Sequence, residues 1–311
     1  MSKIAFIFPG QGSQKIGMGK EFYDQTTIGK EIFEKAEAVT ELNIRNLCFE
    51  ENENINITEY TQICLVTVSV AMMKVLMKKG IQPDVAAGLS LGEYPALVAT
   101  GAMSFEDAAK AVRQRGIYMQ EEVPAGVGAM AAIMNLDAEI IEKSIVGIAD
   151  VSIANYNCPG QIVISGKKEA VETAVKKCKE AGARRCIMLN VSGPFHSKLL
   201  AGAGEKLAKV LEDISIHKPE IPYVANVTAS YVKETEKIKP LLVQQVSSSV
   251  RWEQSVLAMV QNGVDVFIEI GPGKTLTGFN KKIAKKLGKE ITSYNVETLA
   301  DIDAVVEALQ V

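Results

Sequence analysis

The chain has 311 residues, of which 47% are hydrophobic and 23% are charged, a composition typical of a globular protein with a large core. Its net charge of −3 argues against a chain-wide electrostatic attraction to nucleic acid or to an anionic membrane. The five cysteines are scattered without CxxC spacing and there are only two histidines, so the sequence predicts reduced thiols and no metal site.

Two apolar segments bear on where the protein resides. The N-terminal segment, residues 1–14, has an apolar run that is too short for a secretory signal. The most apolar stretch, residues 63–77, is interrupted by Lys74 and is shorter than a membrane span needs. We therefore expect a cytoplasmic protein that contacts neither a membrane nor nucleic acid. We also expect it to be a monomer.

The first part of the chain alternates between strand and helix patterns. A buried strand over residues 3–8 runs into a tight loop at Pro9-Gly10-Gln11-Gly12. A long apolar helix is predicted over residues 58–79, followed by a short strand over 84–88. Ser104 and Asp107 resemble the capped start of a further helix, which extends to about Glu122.

The middle of the chain has a different order of elements. The patterns predict strands at 129–134, 151–155, 161–165 and 184–189, with helices at 137–146 and 168–181. This βαββαβ order is that of a ferredoxin-like subdomain. Strands at 222–226, 264–270 and 291–295 then alternate again with helical patterns. We predict a hydrolase-like α/β domain with a parallel sheet, residues 1–126 and 193–311, interrupted by a ferredoxin-like α+β subdomain, residues 127–192.

The sequence GLSLG at residues 88–92 is the first candidate for chemistry. It has the GxSxG form and lies between a predicted strand and an apolar helical pattern, the context of a nucleophile elbow. Such a turn presents its serine, here Ser90, above the sheet and directs the next backbone N–H toward a developing oxyanion. Two glycines around a serine also make an ordinary turn, so this pattern alone leaves both interpretations open.

A serine nucleophile needs a base, which in such sites is most often histidine. His196 lies in a Gly-Pro loop after the last strand of the predicted subdomain, where it is either a base beside the elbow or a structural loop residue. His217 lies in an alternating polar and apolar segment before Pro219, which favours a solvated side chain.

Arg115 is the most informative charge in the sequence. It occupies a gap in the apolar stripe of the helix that follows Ser104, a stripe formed by Phe105, Ala108, Val112 and Met119. A guanidinium on a packed face usually has an anionic partner, which is either an internal Asp or Glu or the carboxylate of a substrate. Spacing alone does not choose between these.

Two further groups of residues are candidates for binding a ligand or a partner. The glycine-rich loops at residues 10–15 and 268–275 depart from the dinucleotide and phosphate-loop patterns, and both look like turns at strand ends, although Gln11 remains able to donate a hydrogen bond. Lys167, Lys168, Arg184 and Arg185 are expected to form one basic rim on the subdomain, where an acidic protein would dock, or else to be solvated charges.

Taken together, six segments of the chain resemble the malonyl-CoA:acyl carrier protein transacylases, acyltransferases of fatty-acid and polyketide synthesis. They follow in this order: PGQGSQ at 9–14, GLSLGEY at 88–94, QRG at 114–116, NYNCPGQ at 155–161, GPFHS at 193–197 and EIGPGKTL at 269–276. The resemblance implies a ping-pong transfer of malonyl from malonyl-CoA to the phosphopantetheine thiol of acyl carrier protein, through an acyl-enzyme on Ser90 and without a cofactor.

The same resemblance implies a role for each candidate residue. His196 takes the proton of Ser90, and Arg115 binds the malonyl carboxylate. The backbone N–H groups of Gln11 and Leu91 form the oxyanion hole, and a main-chain carbonyl, carried over to Gln245, orients the histidine. One departure is Leu89, because many members of the family have histidine before the nucleophile.

Three rival functions stay open at this point. A serine esterase or thioesterase would use the same elbow, but it has no need of a buried arginine that faces the serine. A binding module would use the subdomain for docking without catalysis. An acyltransferase that serves a polyketide synthase would have the same chemistry and a different carrier protein.

Overall fold

The computed structural model describes residues 2–124, 126–191 and 193–309, and the strands of these residues form two sheets. The strands are β1 (Ile4–Phe8), β2 (Val85–Gly88), β3 (Gly128–Met134), β4 (Val151–Cys158), β5 (Gln161–Lys167), β6 (Arg185–Met188), β7 (Tyr223–Ala225), β8 (Ser230–Val232), β9 (Val266–Ile270) and β10 (Thr292–Val296). The helices are α1 (Lys20–Gln25), α2 (Thr27–Thr40), α3 (Ile44–Phe49), α4 (Thr58–Lys78), α5 (Glu93–Ala99), α6 (Phe105–Glu121), α7 (Ala138–Ile145), α8 (Lys168–Glu180), α9 (Ala201–Glu212), α10 (Ile238–Ser247), α11 (Trp252–Gln261), α12 (Thr275–Leu287) and α13 (Leu299–Leu309).

The larger sheet has the strand order β10-β9-β1-β2-β7-β8. All neighbouring pairs are parallel except β7 and β8. Alternate residues of β1 enter two different cores: Phe6 and Phe8 pack with α4 and its neighbours, whereas Ala5 and Ile7 pack with α11 and α12. A parallel sheet covered on both faces by helices confirms the predicted α/β fold class. The sequence analysis missed β8, which is only three residues long and shows no alternating pattern.

Helix α4 is the central helix of the larger core and packs against α2 and α6. Its 21 residues make it, within the described part of the chain, the one helix that is long and apolar enough to span a membrane. In this fold 83% of its most apolar window is buried inside the protein. Its low amphipathicity therefore reflects contacts on all sides.

The smaller sheet is antiparallel and has the strand order β4-β5-β3-β6. With α7 and α8 it forms the βαββαβ arrangement that the sequence predicts. Ala131 and Ile133 of β3 face the core beneath these helices, whereas Met130 and Ala132 on the opposite face join the core of the larger domain. The second face of the small sheet is thus turned toward the larger domain.

The exact division of the chain at residues 127–192 stays a prediction. The antiparallel sheet spans 128–188, and the expected linker residue Ala125 and the boundary residue Ser192 lie outside the described residues. Strand β4 is joined to the larger domain by two main-chain hydrogen bonds with Val250: Tyr156 N donates to its carbonyl at 2.9 Å, and its own N–H donates to Ala154 O at 2.8 Å.

The prediction of a single basic rim on the subdomain is wrong. Lys167 pairs with Gly128 at one end of β3, and Arg185 pairs with Met134 at the other end. Six residues of extended chain separate the two ends by about 20 Å. Lys167 also forms an ion pair with Asp150 at 2.7 Å. The two pairs of basic residues therefore lie at opposite ends of the sheet and do not form one continuous rim.

The loop after β2 lies so close to β1 that it leaves no room for a side chain at Gly92. A β-carbon at Gly92 would overlap the carbonyl oxygen of Phe8. Because this oxygen belongs to the main chain of β1, no side chain can rotate away to relieve the overlap. We predict that Gly92→Ala lowers the free energy of unfolding by about 1–3 kcal/mol, the usual cost of overpacking. Thermal unfolding of the purified variant measures this change.

The matched control is Gly278→Ala in α12, where a β-carbon meets nothing within 4 Å. Alanine should stabilise that helix by roughly 0.5–1 kcal/mol relative to glycine. Equal melting temperatures for the two variants would contradict the close approach at Gly92.

Candidate active site

Ser90 lies on a sharp turn between β2 and α5. Its φ is 54°, a left-handed conformation that is uncommon for residues other than glycine. Residues Ser90–Gly92 form a single 3-10 turn, and α5 begins directly at Glu93. This strand, strained serine and helix have the geometry of a nucleophile elbow, as the GxSxG pattern predicts.

His196 lies beside the serine, although 106 residues separate them in sequence. Its Nε2 is 2.7 Å from Ser90 Oγ, and its Nδ1 is 2.8 Å from the main-chain oxygen of Gln245. Because a carbonyl oxygen only accepts, Nδ1 carries the proton and Nε2 is free to accept from the serine hydroxyl. His196 also has a positive φ, 57°.

Burial keeps this imidazole neutral. Desolvation, and secondarily the positive charge of Arg115, lower the pKa of His196 to about 4. A neutral imidazole with a free Nε2 is the form that takes a proton from a hydroxyl. His217, in contrast, is exposed, and its main-chain N–H donates to Ala102 O at 2.8 Å. The histidine suggested by the resemblance is thus the one that contacts Ser90.

Arg115 is buried, with 1% of its surface exposed, and points at the serine. Its Nη1 donates to Gln62 Oε1 at 2.7 Å, and its Nη2 donates to Gln245 Oε1 at 2.9 Å and to Ser90 Oγ at 3.3 Å. Its Nε has no hydrogen-bond partner. Within the described residues no carboxylate forms an ion pair with it, whereas Arg113 on the same helix pairs with Glu59 at 2.8 Å.

The side-chain amide of Gln245 joins these groups. The resemblance pointed only to its main-chain oxygen, but its Nε2 also donates to Ser90 O at 2.9 Å and to Glu93 Oε2 at 2.7 Å. Glu93 is buried, and desolvation raises the pKa of its carboxyl to about 7. Gln245 therefore contacts the nucleophile, the histidine, the arginine and a buried acid.

Asn226 binds the two peptide groups that lead from β2 into the elbow, one on each side of Leu89. Its Oδ1 accepts from Ser90 N at 2.6 Å, and its Nδ2 donates to Gly88 O at 2.6 Å. The main-chain pairing of β2 with β7 ends at Ala87 and Val224, and beyond it the side chain of Asn226 forms the hydrogen bonds to the chain that follows β2.

The sequence analysis missed three polar residues that contact this site: Gln62, Glu93 and Asn226. Each is buried in a predominantly apolar stretch of sequence. A polar side chain in such a stretch is the signal that would have found them, because burial without a hydrogen-bond partner is costly.

A cavity of about 520 Å³ opens above Ser90. Ser90, His196 and Arg115 line it on one side, together with Gln11 and Leu91, the two predicted oxyanion donors. The inner face of the small sheet and α12 line the opposite side through Met130, Asn155, Val163 and Phe279. Its volume suits a small-molecule substrate that enters between the two sheets. In the part of the chain that the structure describes, no group of three or more His, Cys, Asp or Glu side chains is placed to hold a metal ion.

Comparison with known proteins agrees with this geometry. Residues 5–300 match the family described as the acyl transferase domain. The sequence is 48% identical, over 304 residues and 96% of both chains, to a malonyl CoA-acyl carrier protein transacylase of Bacillus subtilis (strain 168). It is 39% identical over 307 residues to that of Staphylococcus aureus (strain MRSA252), covering 97% of this chain and 98% of the relative.

Solved structures give the same result. The malonyl CoA-acyl carrier protein transacylase from Clostridium perfringens ATCC 13124 is 43% identical, with a TM-score of 0.93 over 99% of this chain and 98% of that one. A type II PKS acyl-carrier protein in complex with its malonyl-transacylase is a further match, 40% identical with a TM-score of 0.94 over 99% of this chain and 100% of that one. The chain therefore belongs to the acyl transferase family and, within it, to the malonyl CoA-acyl carrier protein transacylases.

Proposed function

We propose that the protein transfers a malonyl group from malonyl-CoA to the phosphopantetheine thiol of acyl carrier protein, through an acyl-enzyme on Ser90 and without a cofactor. The observation that carries this proposal is a buried guanidinium, Arg115, that forms no ion pair with any described carboxylate and lies 3.3 Å from the oxygen of a serine paired with histidine. We further propose that it acts as a cytoplasmic monomer in fatty-acid synthesis and contacts neither nucleic acid nor a membrane.

In the first half-reaction, Ser90 Oγ attacks the thioester carbon while His196 Nε2 takes the hydroxyl proton. The carbonyl oxygen becomes an oxyanion, which accepts from the backbone N–H groups of Gln11 and Leu91. Collapse of the tetrahedral intermediate breaks the carbon–sulfur bond, and His196 returns the proton to the sulfur of coenzyme A. The thiol of the carrier protein then attacks the acyl-enzyme by the same steps in reverse order.

A main-chain carbonyl completes the catalytic set in place of a carboxylate. The oxygen of Gln245 accepts from Nδ1 of His196 at 2.8 Å and so holds the tautomer that the reaction requires. It adds no full negative charge beside the ring. Desolvation outweighs the rise in pKa that this hydrogen bond causes, so the pKa of His196 is about 4 and the base remains neutral between turnovers.

Arg115 is the proposed ligand of the malonyl carboxylate. A buried charge without an ionic partner is costly, and an anionic substrate group would compensate it. A guanidinium can bind a carboxylate through two parallel hydrogen bonds, which favours a dicarboxylic acyl group over a neutral one. A hydrolase of neutral esters has no use for this charge beside its serine.

Asn226 is a proposed positioning residue. Its side chain binds Gly88 O and Ser90 N, which belong to the two peptide groups that flank Leu89, at 2.6 Å each. These contacts fix the direction of Ser90 without touching Arg115 or the cavity wall.

The carrier protein of a polyketide synthase is the second candidate acceptor. A solved relative is a malonyl-transacylase in complex with a type II PKS acyl-carrier protein, and it is 40% identical to this chain. Malonyl transfer to a fatty-acid carrier protein and to a polyketide carrier protein, measured side by side as kcat/KM, separates the two.

The acyl-enzyme is tested by intact mass. Malonyl-CoA should add one malonyl group to the protein, and phosphopantetheinylated carrier protein should then remove it. Ser90→Ala should show no acylation, because alanine offers no oxygen nucleophile. An acylated Ser90→Ala protein would disprove the role of Ser90, and rapid loss of the group to water would favour a thioesterase.

His196→Ala should lower kcat by about 100-fold or more, with the exposed His217→Ala as the matched control.

Selectivity is tested at Arg115. Arg115→Lys keeps the charge but loses the fork geometry, and Arg115→Ala loses both. We predict that kcat/KM for malonyl-CoA falls by about 10- to 150-fold in Arg115→Ala, the range for charged hydrogen bonds, and by less in Arg115→Lys. The value for acetyl-CoA should stay unchanged or rise. Arg113→Ala on the same helix is the control. An equal loss for both thioesters would make Arg115 a structural residue.

The elbow is tested at Asn226. Asn226→Ala should slow single-turnover acylation of Ser90 by about tenfold, because two hydrogen bonds that direct the serine are lost, while KM for malonyl-CoA changes little. Asn295→Ala is the matched control, since that amide bridges Glu269 and Gly273 O at another strand end. If both variants lose stability alone and acylate at the wild-type rate, Asn226 has no positioning role.

A further inference from the structure

We propose that Glu93 is a positioning residue that acts through Gln245: its carboxylate fixes the side-chain amide of Gln245, and this amide holds Arg115 beside Ser90. The inference rests on the function proposed above and deepens it, because it assigns the selection of the acyl group to a pair of residues behind Arg115.

Glu93 is a buried acid that forms no ion pair among the described residues, and the charge of Arg115 only partly offsets the rise of its pKa on desolvation. It is 1% exposed and is the first residue of α5. Its Oε2 accepts from Gln245 Nε2 at 2.7 Å and from Asn226 N at 3.2 Å, whereas its Oε1 has no hydrogen-bond partner. Burial on these terms is unfavourable, as the raised pKa of this carboxyl reflects. This cost indicates that the carboxyl of Glu93 has a role in the site through the groups that it contacts.

The contacts of the Gln245 amide define what Glu93 does. One end of the amide is an acceptor and the other carries two donors. The donor end faces Glu93 Oε2 and Ser90 O, with Asn226 Oδ1 farther away at 3.4 Å, and the acceptor end faces Arg115 Nη2. A flipped amide would turn its N–H groups toward the guanidinium and its oxygen toward a carboxylate and a carbonyl. Glu93 supplies the shortest of the contacts that prevent the flip, 2.7 Å against 2.9 Å for Ser90 O, and this contact is charge-assisted when the carboxyl is ionised.

The position of Arg115 depends on that orientation. Two amide oxygens support its guanidinium, Gln62 Oε1 at 2.7 Å and Gln245 Oε1 at 2.9 Å, and both accept without neutralising its charge. An amide support keeps the positive charge available for a substrate carboxylate, which a directly paired acid would not. If one support turns away, the guanidinium can shift, and two-point binding of a carboxylate tolerates little displacement.

Another role for Glu93 is purely structural. A carboxylate in the first turn of a helix stabilises that helix electrostatically, and α5 is a helix of seven residues. A structural carboxylate would affect the folding of the elbow and lower the reaction of malonyl-CoA and acetyl-CoA alike. A carboxylate that acts through Gln245 and Arg115 would affect malonyl-CoA selectively.

A double-mutant cycle distinguishes these roles. The variants are Glu93→Met, Gln245→Met and the double variant, and the measured quantity is the ratio of kcat/KM for malonyl-CoA to that for acetyl-CoA. We expect each single variant to lower the ratio by about tenfold, the loss of one charged hydrogen bond or of the support that it fixes. In the Gln245→Met background, Glu93→Met should lower the ratio no further. Effects that multiply, or an equal loss for both thioesters in Glu93→Met, would overturn the inference.

Glu93→Gln is the second variant, because it keeps the shape of the side chain and one acceptor and should fold even if the apolar variant does not. Its amide oxygen can still accept from Gln245, so the ratio should stay within about threefold of wild type. A Glu93→Gln protein that loses the ratio by tenfold or more would show that the contact with Gln245 is not what matters. Glu269→Gln is the matched control, since this buried carboxylate accepts from Leu276 N and Thr277 N at the start of α12.

Formation of the malonyl-enzyme by the wild-type protein distinguishes a failure of the proposed function from a failure of the role of Glu93. If it forms no malonyl-enzyme, the proposed function fails. If it forms one, and the Glu93 variants fold and keep the wild-type ratio, only the role of Glu93 fails.

Discussion

The burial of one positive charge is the constraint on which this site depends. Arg115 lies under the elbow with 1% of its surface exposed, where a guanidinium is tolerated only if its donors are satisfied and its charge is compensated. Neutral amides satisfy the donors, and the nearest buried acid is kept one side chain away. Desolvation, and secondarily the same charge, lower the pKa of His196, so Arg115 also contributes to the neutrality of the base.

Local patterns predicted much of this architecture, because the elements concerned are defined by short-range periodicity. The order of strands and helices between residues 128 and 188 follows from such patterns, and so does the placement of Arg115 on the packed face of α6. Ser90 and His196 are different. No local pattern indicates that Ser90 Oγ and His196 Nε2, 106 positions apart in sequence, lie 2.7 Å from each other. Their pairing was predicted from the resemblance to a family, and the comparisons confirm that the chain belongs to it.

What the sequence did not reveal depends on contacts between distant strands. The separation of Lys167 from Arg185 is set by register on β3, and register cannot be read from either segment alone. Asn226 contacts the elbow because β7 ends beside it, and this placement also depends on the pairing of β2 with β7. Strand β8 forms because the chain turns back beside β7, and its three residues have no pattern of their own.

The left-handed backbone of Ser90 and His196 has a consequence for how such a site changes over time. Both reacting residues occupy conformations that glycine adopts more easily, with φ of 54° and 57°. Drift toward greater stability would therefore favour the loss of both side chains, and only selection for activity retains them. Among the six non-glycine residues of the described chain that have a positive φ, two are therefore the residues that carry the reacting atoms.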